Sequence, residues 1–95
     1  MLIEQSIHEP RFDLDPAILD TISHTTAVNI SQLRDTDDLY SAGLKSLAAI
    51  RLIAALEDRF GIEFPPTVMH RGAFATIERI RETVAATLPR VDRDE

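Results

Sequence analysis

The 95-residue chain has no cysteine, no tryptophan and few aromatic side chains of any kind (5%). The absence of cysteine excludes disulfide bonds, thiolate metal sites and a cysteine nucleophile. With so few aromatic residues, we expect a core of aliphatic side chains held together by packing alone. Helices with short-range contacts suit such a chain, which lies near the lower size limit for independent folding.

Positive charge is also scarce, because ten Lys and Arg stand against sixteen Asp and Glu, a net charge of −6. Nucleic-acid binding requires clustered basic residues, so this composition argues against it. No apolar run approaches the roughly 20 residues that cross a bilayer. The N-terminus also lacks the basic segment and apolar core of a signal peptide. We therefore expect a cytoplasmic protein that acts without nucleic acid or membrane.

Apolar residues at intervals of four predict a first helix that begins at Pro16 and fades near Thr25. Asp13 or Asp15 is its expected N-cap. The following segment, 27–44, is a long connection with irregularly spaced apolar residues, which we expect to pack down over the helices. Gly43 is expected to take a backbone conformation that other residues disfavour.

The second helix is predicted from Ser46 to Phe60, with Gly61 as a left-handed cap at its end. Its expected buried stripe steps by three and four residues and consists of Ile50, Ile53, Leu56 and Phe60. A short helical turn is predicted from Pro66 to about Arg71, broken by Gly72.

Thr76 is expected to cap a last helix that ends at Pro89. The predicted fold is therefore all-α, a small bundle of three main helices plus one short helix, with a long first loop. The chain divides into a loose N-terminal arm (1–13), one domain (14–89) and a frayed tail (90–95).

Ser46 is the residue of greatest interest, because it stands where the second helix begins. A serine there is commonly a simple N-cap. A capping box would place Glu or Gln three residues later, and Ala49 is there instead. Alternatively, the side chain of Ser46 can point outward to a partner.

Two segments carry a family resemblance. The run Leu39–Leu47 (Leu-Tyr-Ser-Ala-Gly-Leu-Lys-Ser-Leu) precedes the second helix, and Phe60–Pro65 (Phe-Gly-Ile-Glu-Phe-Pro) follows it. Together they resemble the acyl and peptidyl carrier protein family over roughly 16–88. The resemblance implies that Ser46 bears 4'-phosphopantetheine, derived from coenzyme A and attached through a phosphodiester. Lys45 departs from the family pattern, which usually has Asp before the serine.

The segments Asp38–Leu44 and Ile62–Pro65 resemble small stand-alone carriers. Ligases similar to truncated seryl-tRNA synthetases load these carriers with an amino acid. The resemblance implies an aminoacyl thioester on the arm of Ser46. Carriers for polyketide, lipid or nonribosomal peptide synthesis, and an unmodified helical adaptor, remain alternatives.

The resemblance also implies partners for a monomer: a phosphopantetheinyl transferase, an amino acid or acyl ligase, and a downstream acceptor enzyme. The residues expected to form or border the docking face are Leu44, Lys45, Leu47, Arg51, Ala54, Ala55, Met69, His70 and Arg71. A partner built for an acidic helix should bind poorly, because Lys45 and Arg51 would repel its basic groups.

Catalysis by the chain itself is not expected. A Ser46–His70 pair with Asp38 could be imagined as a hydrolase triad, but the strand–elbow–helix context of such serines is missing. Glu57, Asp58 and Glu63 lack the spacing of a cation-binding loop, so we interpret them as a solvated helix end.

Overall fold

The computed structural model describes residues 14–89 and is helical throughout its regular elements. The predicted arm (1–13) and tail (90–95) lie outside the described residues. The α-helices are α1 (Asp15–Thr25), α2 (Ser46–Phe60) and α3 (Ile77–Thr87). Three short 3₁₀ helices span Ile30–Gln32, Pro66–Val68 and Arg71–Phe74. The predicted all-α class and the bounds of the second helix are confirmed.

The short helix between α2 and α3 differs from the prediction. It consists of two separate 3₁₀ turns, and Gly72 lies inside the second turn instead of breaking a single one. Residues 14–89 thus contain three α-helices and not the four of a four-helix bundle. Thr76 caps α3 as predicted, since its Oγ1 accepts a hydrogen bond from the Arg79 N–H at 2.9 Å.

The core is predominantly aliphatic, as expected. Its most deeply buried large side chains are Ile18, Ile22, Leu39, Leu52, Leu56, Phe74, Ile80 and Val84. Phe64 and Phe74 meet edge to face, with their ring centroids 5.2 Å apart. Because all three helices and the first loop contribute to one cluster, the loop is part of the fold and does not merely connect helices.

The start of α1 corrects the predicted cap. Leu14 occupies the N-cap position, and Asp15 is the first helical residue. Both carboxylate oxygens of Asp15 instead accept from Arg81 on α3, at 2.6 and 3.0 Å. The same guanidinium donates to Asp35 in the first loop at 2.5 Å. Arg81 therefore joins α1, the loop and α3 through charge-assisted hydrogen bonds.

The long first loop packs against the domain through backbone and side chains. The Leu39 N–H donates to the Ala75 carbonyl at 2.7 Å, and the Glu78 N–H donates to the Asp35 carbonyl at 3.0 Å. Gly43 adopts φ +115°, as the sequence predicted for this position.

The buried face of α2 differs from the predicted stripe. Ile50 was expected in the core, yet its side chain is 64% exposed. Leu56 is buried as predicted, and Ile53 and Phe60 are partly buried against the core. Ala49 and Leu52, which the predicted stripe did not include, are the other buried residues of α2. Apolar residues occur on several sides of α2, so helical periodicity alone does not identify the side that packs against the core.

Candidate functional site

Ser46 is the first residue of α2, and Lys45 occupies the N-cap position. The first hydrogen bond of the helix runs from the Ala49 N–H to the Lys45 carbonyl, at 2.8 Å. Ser46 is exposed, and its hydroxyl has no hydrogen-bond partner among residues 14–89. The interpretation of Ser46 as an N-cap is therefore wrong, and its hydroxyl is available for chemistry.

The turn before Ser46 is held by its own hydrogen bonds. The Asp38 carboxylate accepts from the Tyr40 N–H at 3.0 Å and from the Ser41 hydroxyl at 2.9 Å. The Leu44 N–H donates to the Leu39 carbonyl at 2.9 Å, and both of these leucines are buried. Ser46 thus follows a closed turn that is anchored in the core at both ends.

The start of α2 favours an anion. The N–H groups of Ser46, Leu47 and Ala48 precede the first helical hydrogen bond, so the helix itself leaves them without acceptors. The helix dipole adds partial positive charge at the same place, and Lys45 is exposed beside it. An exposed hydroxyl, free N–H donors and a cation fit a phosphodiester joined to Ser46.

One side of α2 presents apolar side chains to solvent. We call it the α2 outer face, formed by Leu47, Ile50, Arg51 and Ala54, which recur at intervals of three and four residues. Leu47 is 59% exposed and Ile50 is 64% exposed. Ile50 was not predicted on this face, because its helical spacing indicated a core position. A second apolar stripe at positions 49, 52 and 56 also fits the core, and it is the signal that could have indicated an exposed position for Ile50.

The other predicted docking residues are divided between surface and core. Leu44 is only 4% exposed, so its side chain belongs to the core and cannot border a docking face. Ala55 is half-buried and lines a groove between α1 and α2. Met69, His70 and Arg71 are exposed near the short 3₁₀ turns.

Arg71 is tied to the loop that leads into α2. Its guanidinium carbon lies 3.5 Å from the centroid of the Tyr40 ring, a cation–π contact. Tyr40 belongs to the closed turn before Ser46. The structure therefore brings the segment around Arg71 to the loop that positions Ser46, although the two are distant in sequence.

The groove between α1 and α2 lies away from Ser46. It encloses about 270 Å³ and is lined by Asp20, Thr21, His24, Thr25, Ala55, Asp58 and Arg59. Ala55 is nine residues beyond Ser46, which corresponds to roughly 13 Å along a helix.

Two of the side chains considered for other chemistry, Asp38 and Glu57, have structural roles. The Asp38 carboxylate is occupied by the turn, so it does not orient a histidine. Glu57 accepts from the Phe64 N–H at 2.9 Å and holds the chain after α2. In the part of the chain that is described, no group of three or more His, Asp or Glu could hold a metal ion. No helix in that part is long and apolar enough to span a bilayer.

A protein-family comparison matches residues 16–86 to the model described as "Phosphopantetheine attachment site". Among curated proteins, the chain is similar to an aminoacyl carrier protein of Agrobacterium fabrum (strain C58), with 41% identity over 59 residues. That match covers 62% of this chain and 71% of the relative. The chain is also 33% identical over 76 residues to the non-reducing polyketide synthase Dhc5 of Alternaria cinerariae, but spans only 4% of that protein.

Two crystal structures contain a chain of similar fold. Both hold an engineered Bradyrhizobium japonicum glycine:[carrier protein] ligase with a carrier protein from Agrobacterium tumefaciens, one with AMP and one with ATP. The TM-scores are 0.71 and 0.73, and the identities are 33% and 32%. The matches cover 75% and 78% of this chain, and 97% and 99% of the solved chains.

Proposed function

Because this chain belongs to the phosphopantetheine-attachment family of carrier proteins, we propose that Ser46 bears the 4'-phosphopantetheine arm and that the arm carries an amino acid as a thioester. The observation that carries the assignment of Ser46 is its exposed hydroxyl at the first position of α2, without a partner among residues 14–89. When bound, the arm supplies a terminal thiol on a long, flexible chain.

The chain's own contribution is positional. A transferase must form a bond between Ser46 Oγ and the phosphorus of coenzyme A while the bond to adenosine 3',5'-bisphosphate breaks. The serine proton passes to a base of the transferase or to solvent. The closed turn before Ser46 holds the hydroxyl outward for this reaction, and the free N–H groups of α2 stabilise the resulting anion. No catalytic group of this chain is required.

An amino acid is the cargo best supported by the relatives. The 41% identical relative is named an aminoacyl carrier protein, and the solved chains of similar fold stand in complexes with a glycine:[carrier protein] ligase. The tether raises the effective concentration of the cargo at the site of each enzyme that it visits. The proposed partners are a phosphopantetheinyl transferase, an amino acid ligase and an acceptor enzyme. We propose that they meet the carrier, a monomer, in the cytoplasm.

The proposed docking surface is the α2 outer face together with Lys45 and the segment around Arg71. Exposed apolar side chains such as Leu47 and Ile50 mark protein-binding surfaces when they lie side by side. Lys45, Arg51 and Arg71 add positive charge around them. A partner surface that combines an apolar depression with carboxylates complements this pattern.

Intact mass spectrometry tests the attachment site. The protein is incubated with coenzyme A and a broad-specificity phosphopantetheinyl transferase, and should gain the mass of one arm. Ser46→Ala should gain nothing, whereas Ser41→Ala, which alters an exposed serine in the preceding turn, should still gain one arm. An unmodified wild-type protein would favour the adaptor alternative, and a modified Ser46→Ala protein would refute the site.

A second candidate function is a carrier for polyketide synthesis, favoured by the match to a segment of a polyketide synthase. The two are distinguished by offering the arm-bearing protein an amino acid, ATP and a ligase of the kind found in the solved complexes. Formation of an aminoacyl thioester, released by mild thiol treatment, supports the first function. Failure with amino acids and loading from malonyl-coenzyme A with a polyketide acyltransferase would support the second.

A further inference from the structure

The residue before Ser46 carries a charge that residues 14–89 leave unpaired. Lys45 is exposed, takes an extended backbone conformation (φ −91°, ψ 161°) at the N-cap of α2, and does not cap the helix with its side chain. The ion pairs within residues 14–89 involve other basic side chains: His24, Arg59, Arg79 and Arg81. A cation at the positive end of a helix dipole is electrostatically unfavourable.

The sequence immediately around Lys45 supplies no carboxylate that could offset its positive charge. Between Asp38 and Glu57 the chain contains no Asp or Glu. The Asp38 carboxylate is already occupied by the Tyr40 N–H and the Ser41 hydroxyl. Glu57 lies three turns along α2 and accepts from the Phe64 N–H. From Tyr40 to Leu56, a stretch that includes the first three turns of α2, the chain thus contains Lys45 and Arg51 but no carboxylate side chain.

We infer that Lys45 is the counter-ion of the phosphodiester that anchors the arm to Ser46. This inference rests on the proposed attachment site. The phosphodiester has a single negative charge, and the flexible stem of a neighbouring lysine can bring its ammonium group to the phosphate oxygens. Attachment of the arm then converts an unfavourable cation at a helix N-terminus into a neutral pair.

Two consequences follow for this protein. Modification stabilises the fold, because the new anion interacts favourably with both Lys45 and the N-terminus of α2. The anchor itself becomes electrically neutral, so a docking enzyme meets the apolar α2 outer face with Arg51 as its remaining cation. An enzyme that recognises the anchor through strong basic groups gains little binding affinity from a phosphate that Lys45 already neutralises.

The test compares the unmodified and arm-bearing forms of the wild type, Lys45→Gln and the control Arg51→Gln. Arg51 is an exposed cation more than one turn along the same helix. At low salt, we expect the arm to raise the melting temperature of the wild type and of Arg51→Gln by roughly 2–6 °C. In Lys45→Gln, the increase should be smaller by roughly half, since only the helix dipole remains to interact with the phosphate.

Salt gives an independent check on the cause. At about 1 M salt the Debye length is roughly 3 Å, so the difference between the wild type and Lys45→Gln should nearly vanish. An equal increase in melting temperature for all three proteins at low salt would overturn the inference, as would a difference that persists at high salt. If the wild type gains no mass at all, the proposed function fails instead, and intact mass distinguishes the two cases.

Nuclear magnetic resonance of the wild type alone provides a readout that needs no variant. The side-chain resonances of Lys45 should shift when the arm is attached, because the phosphate then places an anion beside the ammonium group. Unchanged Lys45 resonances in the arm-bearing protein would contradict a pairing between Lys45 and the phosphate, whatever the melting temperatures show.

Discussion

The two ends of α2 are built differently although they belong to one continuous helix. At the C-terminal end, Glu57 and Arg59 both engage neighbouring groups, and Gly61 closes the helix in a left-handed conformation (φ +65°). At the N-terminal end, Lys45 and Ser46 make no side-chain hydrogen bond within residues 14–89, and Leu47 is exposed. One end satisfies its polar groups internally, and the other leaves them available to partners.

This difference indicates how a small domain can combine a stable fold with a reactive surface. The stabilising contacts lie on the buried side of α2, which packs against α1, and around its last turn, where Glu57 accepts from the Phe64 N–H. The N-terminal end can then expose a serine and apolar side chains without loss of the core. Substitutions at the two ends should therefore separate stability from partner recognition.

The largest expected effect concerns the buried side of α2. Leu56 is 0% exposed, so Leu56→Ala should lower the free energy of unfolding by about 2–5 kcal/mol through lost burial and a residual cavity. Leu47→Ala removes the same side-chain atoms from an exposed position and should change the free energy of unfolding by no more than about 0.5 kcal/mol. Urea denaturation of both variants measures the contrast. Equal losses of unfolding free energy would show that both ends of α2 contribute alike to stability.

A smaller loss is expected from the polar group that closes the C-terminal end. Glu57→Ala leaves the partly buried Phe64 N–H without its carboxylate acceptor, which should cost about 1–3 kcal/mol. Asp58→Ala alters the exposed neighbouring carboxylate and serves as the matched control, with an expected change near zero. Chemical denaturation of Glu57→Ala and Asp58→Ala measures the two losses of unfolding free energy. A loss in Asp58→Ala as large as that in Glu57→Ala would instead indicate a general effect of charge at the helix end.

At the N-terminal end, recognition should change while stability does not. Ile50→Ser removes the most exposed large apolar side chain of the α2 outer face, and should raise the KM of the loading ligase for the arm-bearing protein roughly fivefold to tenfold. The kcat should stay the same, because Ile50 takes no part in the chemistry. Steady-state loading assays with increasing carrier concentration measure both constants.

Met69→Ser provides the comparison for Ile50→Ser, since Met69 is also a large exposed apolar residue, at 49%, but lies outside α2. An equal increase in KM would show that the segment around Arg71 contributes to the docking surface as much as the α2 outer face does. A wild-type KM for Ile50→Ser would remove the α2 outer face from the contact with the ligase.

The bounds of α2 could be predicted from sequence, but not the side that it buries. Gly61 and the alanine-rich composition mark the helix clearly. Ile50 and Leu52 are equally apolar, however, and only the packing of the other elements decides that Leu52 is buried and Ile50 is exposed. An exposed apolar surface thus resembles a core stripe in sequence, and periodicity cannot separate the two.

The site shows the same division between local and tertiary information. The attachment residue could be proposed from a contiguous motif around Ser46, since the closed turn and the helix start are local. Leu44 was expected to border the docking face but is buried, because its environment depends on how the loop folds over the helices. The stacking of Arg71 on Tyr40 joins positions more than thirty residues apart, and no local pattern predicts it.

The smallest expected effect is a pH dependence at the C-terminal end of α2. The hydrogen bond from Arg59 to Asp20, at 2.9 Å, lowers the pKa of Asp20 below its ordinary value of 3.8, with His24 adding a weaker contribution. The folded state therefore releases this proton more readily than the unfolded state. The stabilisation is present above about pH 4, and is lost as the pH falls through the folded-state pKa.

In Arg59→Gln, the free energy of unfolding should fall less steeply as the pH is lowered below about 4, because the cation that lowers the pKa of Asp20 is removed. Arg34→Gln is the control, since Arg34 forms no ion pair within the described segment 14–89. Unfolding free energies measured from about pH 7 to about pH 3 in low salt test the prediction. Both groups are exposed, so solvent screening keeps the change small. If the unfolding free energies of the two variants depend on pH in the same way, the ion pair at this end of α2 contributes nothing to folding. That result would weaken the contrast between the ends.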